Sequence, residues 1–505
     1  MPATVADKTS LHLTNLFSEL EALRTDIVDE GESLVDQWAN WIRRAEFAPS
    51  ARNLACYLAL RRRDLCALQE ELARFGLSSL GRSESRATES LTAIAALVAR
   101  AAGIPAEQQP NLPSRGDFVA GNQRLDEESL RVFGIPNPHR RTRIMVTLPP
   151  TAADDVDFLR GLLQRGMEIV RINCAHDDET TWAGMIRSLR AAEQQLGMPP
   201  RTRVLMDLGG PKLRTTTFEG QSDKHRFNIG DSFWLARAPS DAPQGDRAIG
   251  CSLPEVIGQL RHGDPVWVDD GELGGRITDR RHGAVQVQIT QAPSDGKRLK
   301  ADKGLNFPAT ELAVPALTDA DLAALPFVAE HADLVGYSFV QGAEDVARLQ
   351  SALESAGRRG AKAPALMMKI ETRRAVRNLP EIIVASAGRN PTAVMIARGD
   401  LAVELGYQRL AEIQEEILWL CEAASVPVVW ATQVLESLAK RGQPSRSEIT
   451  DAAMGVRAEC VMLNKGPYIL EAVDMLSDVL QRMEAHHRKK TARLRALQSW
   501  QALFA

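Results

Sequence analysis

Six cysteines occur in 505 residues, at 56, 66, 174, 251, 421 and 460, and no two form a CxxC pair. That scatter argues against a disulfide framework and fits isolated reduced thiols, so we expect a cytoplasmic protein. No stretch reaches the roughly 18–20 apolar residues that a membrane helix needs, and no membrane association is expected. The first ten residues, MPATVADKTS, lack a basic segment followed by an apolar one, the pattern of a secretory signal. Neither sign of charge dominates. The 61 basic and 65 acidic side chains leave a formal net charge of -4, which gives no reason to expect nucleic acid as a partner. There is no short-period repeat and no long low-complexity tract. What remains is average in content, 44% hydrophobic and 25% charged, and too long for one ordinary core, so two to four domains are expected.

The pattern divides near residue 139. Before it, apolar residues recur at helical spacing over 11–47, where Leu13, Leu16, Phe17, Leu20 and Leu23 form one stripe, and again over 54–75 and 90–102. Pro49 and Gly76 are expected to break these helices, and the prolines at 105, 110, 113, 136 and 138 mark a loop-rich stretch. After residue 139, eight β-branched runs alternate with helical segments. They lie at 143–147, 168–172, 203–207, 334–338, 366–369, 393–397, 426–430 and 460–463, an order that predicts an α/β fold, the (β/α)8 barrel. Pro427 is tolerable at the start of its strand. Over 120 residues separate the third and fourth runs. Within them, 215–305 is rich in Gly, Asp and short alternating runs (233–235, 266–268, 285–289) and reads as a small β domain inserted at the barrel's C-terminal face. The expected domains are therefore 1–139, helical; 140–214 with 306–487, the barrel; 215–305, the insertion; and 488–505, a basic helical tail.

Candidate chemistry gathers at the strand ends. In Met368-Lys369-Ile370-Glu371 the period of two puts Lys369 and Glu371 on one face, as a cation for an anionic substrate and a metal ligand; a salt-bridged strand end explains the pair as well. The next strand ends in Arg398-Gly399-Asp400. Gly399 permits close backbone approach, and Asp400 completes a hard-metal site with Glu371 or simply caps a helix. Arg171, Asn173 and His176 follow the second strand, and Lys212 and Arg214 follow the third. Four cations (Arg171, Lys212, Arg214, Lys369) converging on one mouth would repel unless phosphate or carboxylate joined them. His176 alone is more often structural than ligating. Thr432, after the seventh strand, could hydrogen-bond a carboxylate, relay a proton or cap the following helix. The Arg61-Arg62-Arg63 run reads as a solvated face.

Together these residues carry a resemblance. Thr147-Leu148-Pro149-Pro150, Arg171-Ile172-Asn173, residues 206–214, Asn306-Phe307-Pro308, Lys369-Ile370-Glu371, residues 397–404 and 431–437, and Pro444-Ser445-Arg446-Ser447-Glu448 follow the order found in pyruvate kinases. Over roughly 140–487 the chain resembles that family, which implies Mg²⁺-dependent (or Mn²⁺-dependent) phosphoryl transfer from phosphoenolpyruvate to ADP, giving pyruvate and ATP, in a homo-oligomer. The resemblance makes Glu371 and Asp400 the metal ligands, Lys369 the stabiliser of the phosphoryl group with Arg171 and Arg214, and Gly399, Asp400, Thr432 and Lys212 the substrate site. It makes Thr147, Pro150, Arg171, Asn173, His176 and Lys303 the nucleotide site, with Lys303 carried by an insertion that closes as a lid.

The chain also departs from the family pattern. The monovalent-cation positions read Asn173, Ala175, Asp207 and Leu208, so a serine oxygen is missing. Lys212 stands where a glutamate accompanies potassium dependence. The resemblance therefore implies that K⁺ is not required, an ammonium supplying the charge. Pro149 replaces a glycine, Gly209 a lysine, and the loop at 464–468 is about four residues short. Where the family has a C-terminal regulatory domain we expect only the basic tail after residue 487, with a helical region at the other end instead. Two rivals follow: a lyase or decarboxylase handling phosphoenolpyruvate without ADP, which the nucleotide residues oppose, and a non-catalytic regulatory protein, which Pro149, Gly209 and the short loop favour.

Overall fold

The computed structural model describes residues 5–77, 79–218, 225–357, 363–489 and 491–492. Eight parallel strands close on themselves: β1 (Arg143–Thr147), β2 (Ile169–Asn173), β3 (Arg203–Asp207), β4 (Leu334–Tyr337), β5 (Ala365–Ile370), β6 (Thr392–Ala397), β7 (Val428–Ala431) and β8 (Cys460–Leu463). β1 pairs with β8 from Arg143↔Cys460 and with β2 to Thr147↔Arg171, which completes the ring. Each strand is buried on both faces, so its sequence reads as a nearly unbroken apolar run. Alternation sorts those residues. Met145, Ile169, Leu205, Leu334, Met367, Met395 and Met462 fill the lumen, while Ile144, Val146, Val170, Ile172, Val204 and Met206 meet the helices outside. Several lumen positions are methionine, whose unbranched chain fills irregular space.

The chain between β3 and β4 forms a separate sheet of seven short strands with its own core of Phe233, Leu235, Val266, Val285, Val287 and others. Its longest strand, Leu273–Arg281, has no counterpart among the expected runs. Gly274, Gly275 and four exposed polar residues at its end obscure the alternation; pairing with Ala284–Gln291 forms it.

The helical region differs from the expectation in three ways. Pro49 breaks nothing, because it stands in the first turn of α2 (Ala48–Arg61), after α1 (Val5–Trp38). The expected helix over 54–75 is divided at Arg62–Leu65, with α3 at Cys66–Arg74 and α4 at Ala87–Ala102. The loop-rich stretch contains a 19-residue helix, α5 (Arg115–Phe133). A capping box of Ser114 and Asp117 opens it, and Gly121 sits inside it because a Cβ there would lie 1.9 Å from the Ser85 carbonyl oxygen. Residues 487–492, expected to lead into a helical tail, pair as a short hairpin, His487–Arg488 with Thr491–Ala492; residues 490 and 493–505 lie outside the described residues. The arginine run is spent on contacts within the protein: Arg62 and Arg63 pair with Glu30, and Arg61 stacks on Trp419.

These outer segments hold the barrel shut. Val132 and Phe133, at the end of α5, belong to the same apolar cluster as the lumen residues, so the helical region supplies the barrel's floor. Beside them Arg143 donates to the Gly134 carbonyl at 2.7 Å. Lys489 reaches in from the hairpin to the buried Glu459 at 2.7 Å. Arg44 ties the other side, donating to the carbonyls of Ala387 (3.1 Å) and Asn390 (2.8 Å) while pairing with Glu128. Among the described residues no helix is long and apolar enough to cross a membrane.

Phe133→Ala should therefore cost about 3–5 kcal/mol of unfolding free energy in chemical denaturation, as deletion of a buried aromatic does. Leu130→Ala, on the exposed side of the same helix, should change stability by less than about 0.5 kcal/mol. Equal effects would show that α5 does not seal the floor.

Candidate active site

The C-terminal ends of the strands open into a cleft of about 570 Å³. Alternation places Lys369 there, since Met367 two residues earlier already faces the lumen. Its ammonium nitrogen lies 3.3 Å from Asp207 Oδ2 and 3.2 Å from Glu371 Oε1, and it donates to Ser338 Oγ at 2.6 Å. Asp207 also receives Arg171, at 2.8 Å from Nε, and Arg171 donates on to Thr147 Oγ1 at 3.1 Å. Glu371 accepts the Phe339 N–H at 2.6 Å. All three central residues are buried. Burial opposes the Lys369 ammonium, but Asp207 and Glu371 outweigh it and hold the amine above its ordinary range. Burial likewise pushes Asp207 up, and Lys369 and Arg171 reverse the sign, so it stays ionised. Glu371 is pushed up by burial, which the charge of Lys369 only partly offsets.

The second Asp207 oxygen has no hydrogen-bond partner among the described residues. It faces backbone: a Cβ built on Gly336 would stand 2.3 Å from it.

At the rim, Lys212 Nζ lies 2.9 Å from Asp400 Oδ1, and Arg214 pairs with Asp302 of the insertion at 3.2 Å. The four cations do converge, as expected, but each has a carboxylate beside it. The repulsion that would call for an anionic ligand is thus largely relieved within the protein. Thr432 has φ of 63°, unusual for a β-branched residue, and Gln433 follows at 57°. Arg398 holds this turn by donating to the carbonyls of Ala431 (2.9 Å) and Thr432 (2.7 Å), while Asp451 and the Trp430 ring hold Arg398. The turn presents Thr432 Oγ1 to the Gly399 N–H at 2.8 Å.

The cleft brings together Arg171, Asn173, His176, Lys212, Arg214, Lys369, Glu371, Asp400 and Thr432. Thr147 is one contact behind, through Arg171. Pro150 is exposed after β1, and Lys303 is tied to Asp269 at 3.0 Å, away from the lining. Sequence reasoning missed Ser338, the Phe339 N–H, Arg398 with Asp451, and Asp270, whose carboxyl is pushed up by burial beside Lys212 and Asp400. Only Arg398 lies in a quoted motif; the others gain meaning from residues far away in the chain.

A family model described as pyruvate kinase, barrel domain, matches residues 139–473. Among curated proteins, the chain is 31% identical to pyruvate kinase 1 of Trypanosoma brucei brucei over 69% of this chain and 68% of that one. It is 33% identical to the pyruvate kinase of Methylorubrum extorquens, over 68% and 69%, and 31% identical to human pyruvate kinase PKLR, over 71% and 63%.

Glu404, one turn beyond Asp400, accepts from Asn306 Nδ2 at 3.1 Å, and burial pushes its carboxyl up to about 7. A raised acid favours the folded state when protonated, so this contribution is complete below the ordinary carboxylate range and lost as pH rises through about 7. In denaturation at a series of pH values, Glu404→Gln should gain stability over the native chain as pH rises from about 5 to 8. A constant difference across that range would contradict the burial of Glu404 as a charged liability.

Proposed function

The chain belongs to the pyruvate kinase family, which makes it a phosphotransferase, and from that premise we propose that it moves the phosphoryl group of phosphoenolpyruvate to ADP, with Mg²⁺ and without K⁺. The observation that carries this reading is the buried Lys369 ammonium between Asp207 and Glu371. Transfer of a phosphoryl group asks a protein mostly for positioning and for charge where charge passes. In the proposed reaction the bond from phosphorus to the enol oxygen breaks, a bond forms to a terminal oxygen of ADP, and the enolate left behind takes a proton at carbon. Lys369 keeps its proton throughout, because its two carboxylates raise its pKa. It offers a fixed cation on the path of the phosphoryl group, with Arg171 and Arg214 flanking it.

Thr432 accepts from the Gly399 N–H, so its own O–H remains to donate, either to the substrate carboxylate or toward the enolate. The left-handed turn held by Arg398 aims that hydroxyl. For the nucleotide we assign Thr147, Pro150, Arg171, Asn173, His176 and Lys303. Lys303 must leave Asp269 to take part, which fits an insertion that moves as a lid.

Glu371 and Asp400 fit a hard divalent cation. Both line the cleft with oxygen donors alone, and Asp400 pushes the Glu371 carboxyl up, a repulsion that a dication relieves. When bound there, Mg²⁺ would neutralise substrate oxygens and help orient them. Three facts support independence from K⁺. Lys212 sets its ammonium in the cleft at 2.9 Å from Asp400. Positions 175 and 208 are alanine and leucine, without a side-chain oxygen. The spare Asp207 oxygen faces Gly336 rather than open space.

Pyruvate formation from phosphoenolpyruvate and ADP should proceed with Mg²⁺ at rates equal within about twofold in Na⁺ and in K⁺, and should stop with a chelator. Absence of turnover in both salts would end the functional reading. A tenfold or greater demand for K⁺ would end only the role given to Lys212.

A further inference from the structure

A second cavity, of about 110 Å³, lies at the base of the insertion. The strands that leave and re-enter the barrel run together here, the Leu305 N–H donating to the Leu213 carbonyl at 2.9 Å. The insertion side contributes an apolar wall of Phe307, Leu312 and Val314. The barrel side contributes three arginines, Arg373, Arg374 and Arg377, from one short segment after β5.

The charges in this cavity do not balance. Arg377 pairs with Glu311 at 3.0 Å across the mouth, where both side chains are mostly exposed. Lys212 and Asp400 neutralise one another. Arg373 donates to the backbone carbonyl of Glu404 at 3.2 Å, which cancels no charge. Arg374 has only a long contact to Gln341 Oε1, at 3.4 Å. Among the described residues neither Arg373 nor Arg374 forms an ion pair with a carboxylate, although Arg373 lies near enough to Glu404 to favour its ionised form. The nearby Glu404 carboxyl, pushed up to about 7, offsets little of their charge below neutral pH.

We propose that this cavity binds a small organic anion, a carboxylate carrying an apolar body, and that its occupancy couples the insertion to the barrel. A guanidinium fork matches a carboxylate in shape as well as charge, and Arg374 has that fork nearly free. The apolar body leaves water against Phe307, Leu312 and Val314, so head and body contact opposite sides of the junction. A ligand that touches both sides stabilises whichever arrangement brings them together. Binding does not depend on the reaction proposed above; only its effect on turnover does.

Benzoate serves as the probe, titrated calorimetrically into the full chain without substrate. We expect saturable one-to-one binding, at least tenfold weaker acetate binding, and at least a tenfold loss of benzoate affinity in Arg374→Ala and Arg374→Gln. Both variants change an exposed side chain and should melt as the native chain does. Lys369→Met, in the other cleft, should bind benzoate as the native chain does. No saturable binding, acetate binding equal to benzoate, or unchanged affinity in both Arg374 variants would overturn the proposal. So would loss of benzoate binding in Lys369→Met, which would put the anion in the catalytic cleft.

Discussion

A buried lysine stays charged only if the protein supplies the opposite charge, and that requirement organises one end of this barrel. Lys369 takes it from Asp207 and Glu371. Asp207 then needs more than half of one lysine to remain ionised while fully buried, and Arg171 provides it. Glu371 needs the Phe339 N–H. Each partner comes from a different strand end, so β2, β3, β4 and β5 must keep their register for any of the charges to be tolerable. Removing one member of such a set leaves an uncompensated buried charge, at a cost of about 3–5 kcal/mol. The set is therefore a constraint on the fold before it is a device for chemistry.

The other end of the barrel faces the opposite problem. Its lumen is apolar and would be open to water without a cover. Phe133 and Val132 close it from a helix outside the barrel, and Lys489 answers the buried Glu459 from a hairpin after the last barrel helix. The helical region is thus not an independent attachment. Its final helix is part of the barrel's core, and Arg44 and Asn53 fasten the rest to the loops after Ala387 and Ala423.

Much of the barrel was legible because strands buried on both faces have simple sequences. All eight stand within two residues of the expected positions, and Lys369 and Glu371 share a face as a period of two requires. Helix α5 was hidden by Gly116, Gly121 and the prolines around it, since Gly121 answers to the Ser85 carbonyl, a tertiary contact with no local trace. The site was legible as a set of residues but not as a set of pairs. Lys212 meets Asp400 across 188 positions, and Arg398 meets Asp451 across 53. Charge counting along the sequence therefore overstated the repulsion among the cations, because the carboxylates that relieve it, Glu371 apart, come from distant parts of the chain.

The central claim is that the Lys369 ammonium, fixed by its carboxylates, is the group on which phosphoryl transfer turns. The most direct measurement is turnover of Lys369→Met with phosphoenolpyruvate, ADP and Mg²⁺, beside a far-UV circular dichroism spectrum. The account predicts a native-like spectrum and turnover lower by a factor of about a thousand or more, the scale of losing a preorganised charge at the reacting group. A folded variant that keeps more than about a tenth of native turnover would contradict it.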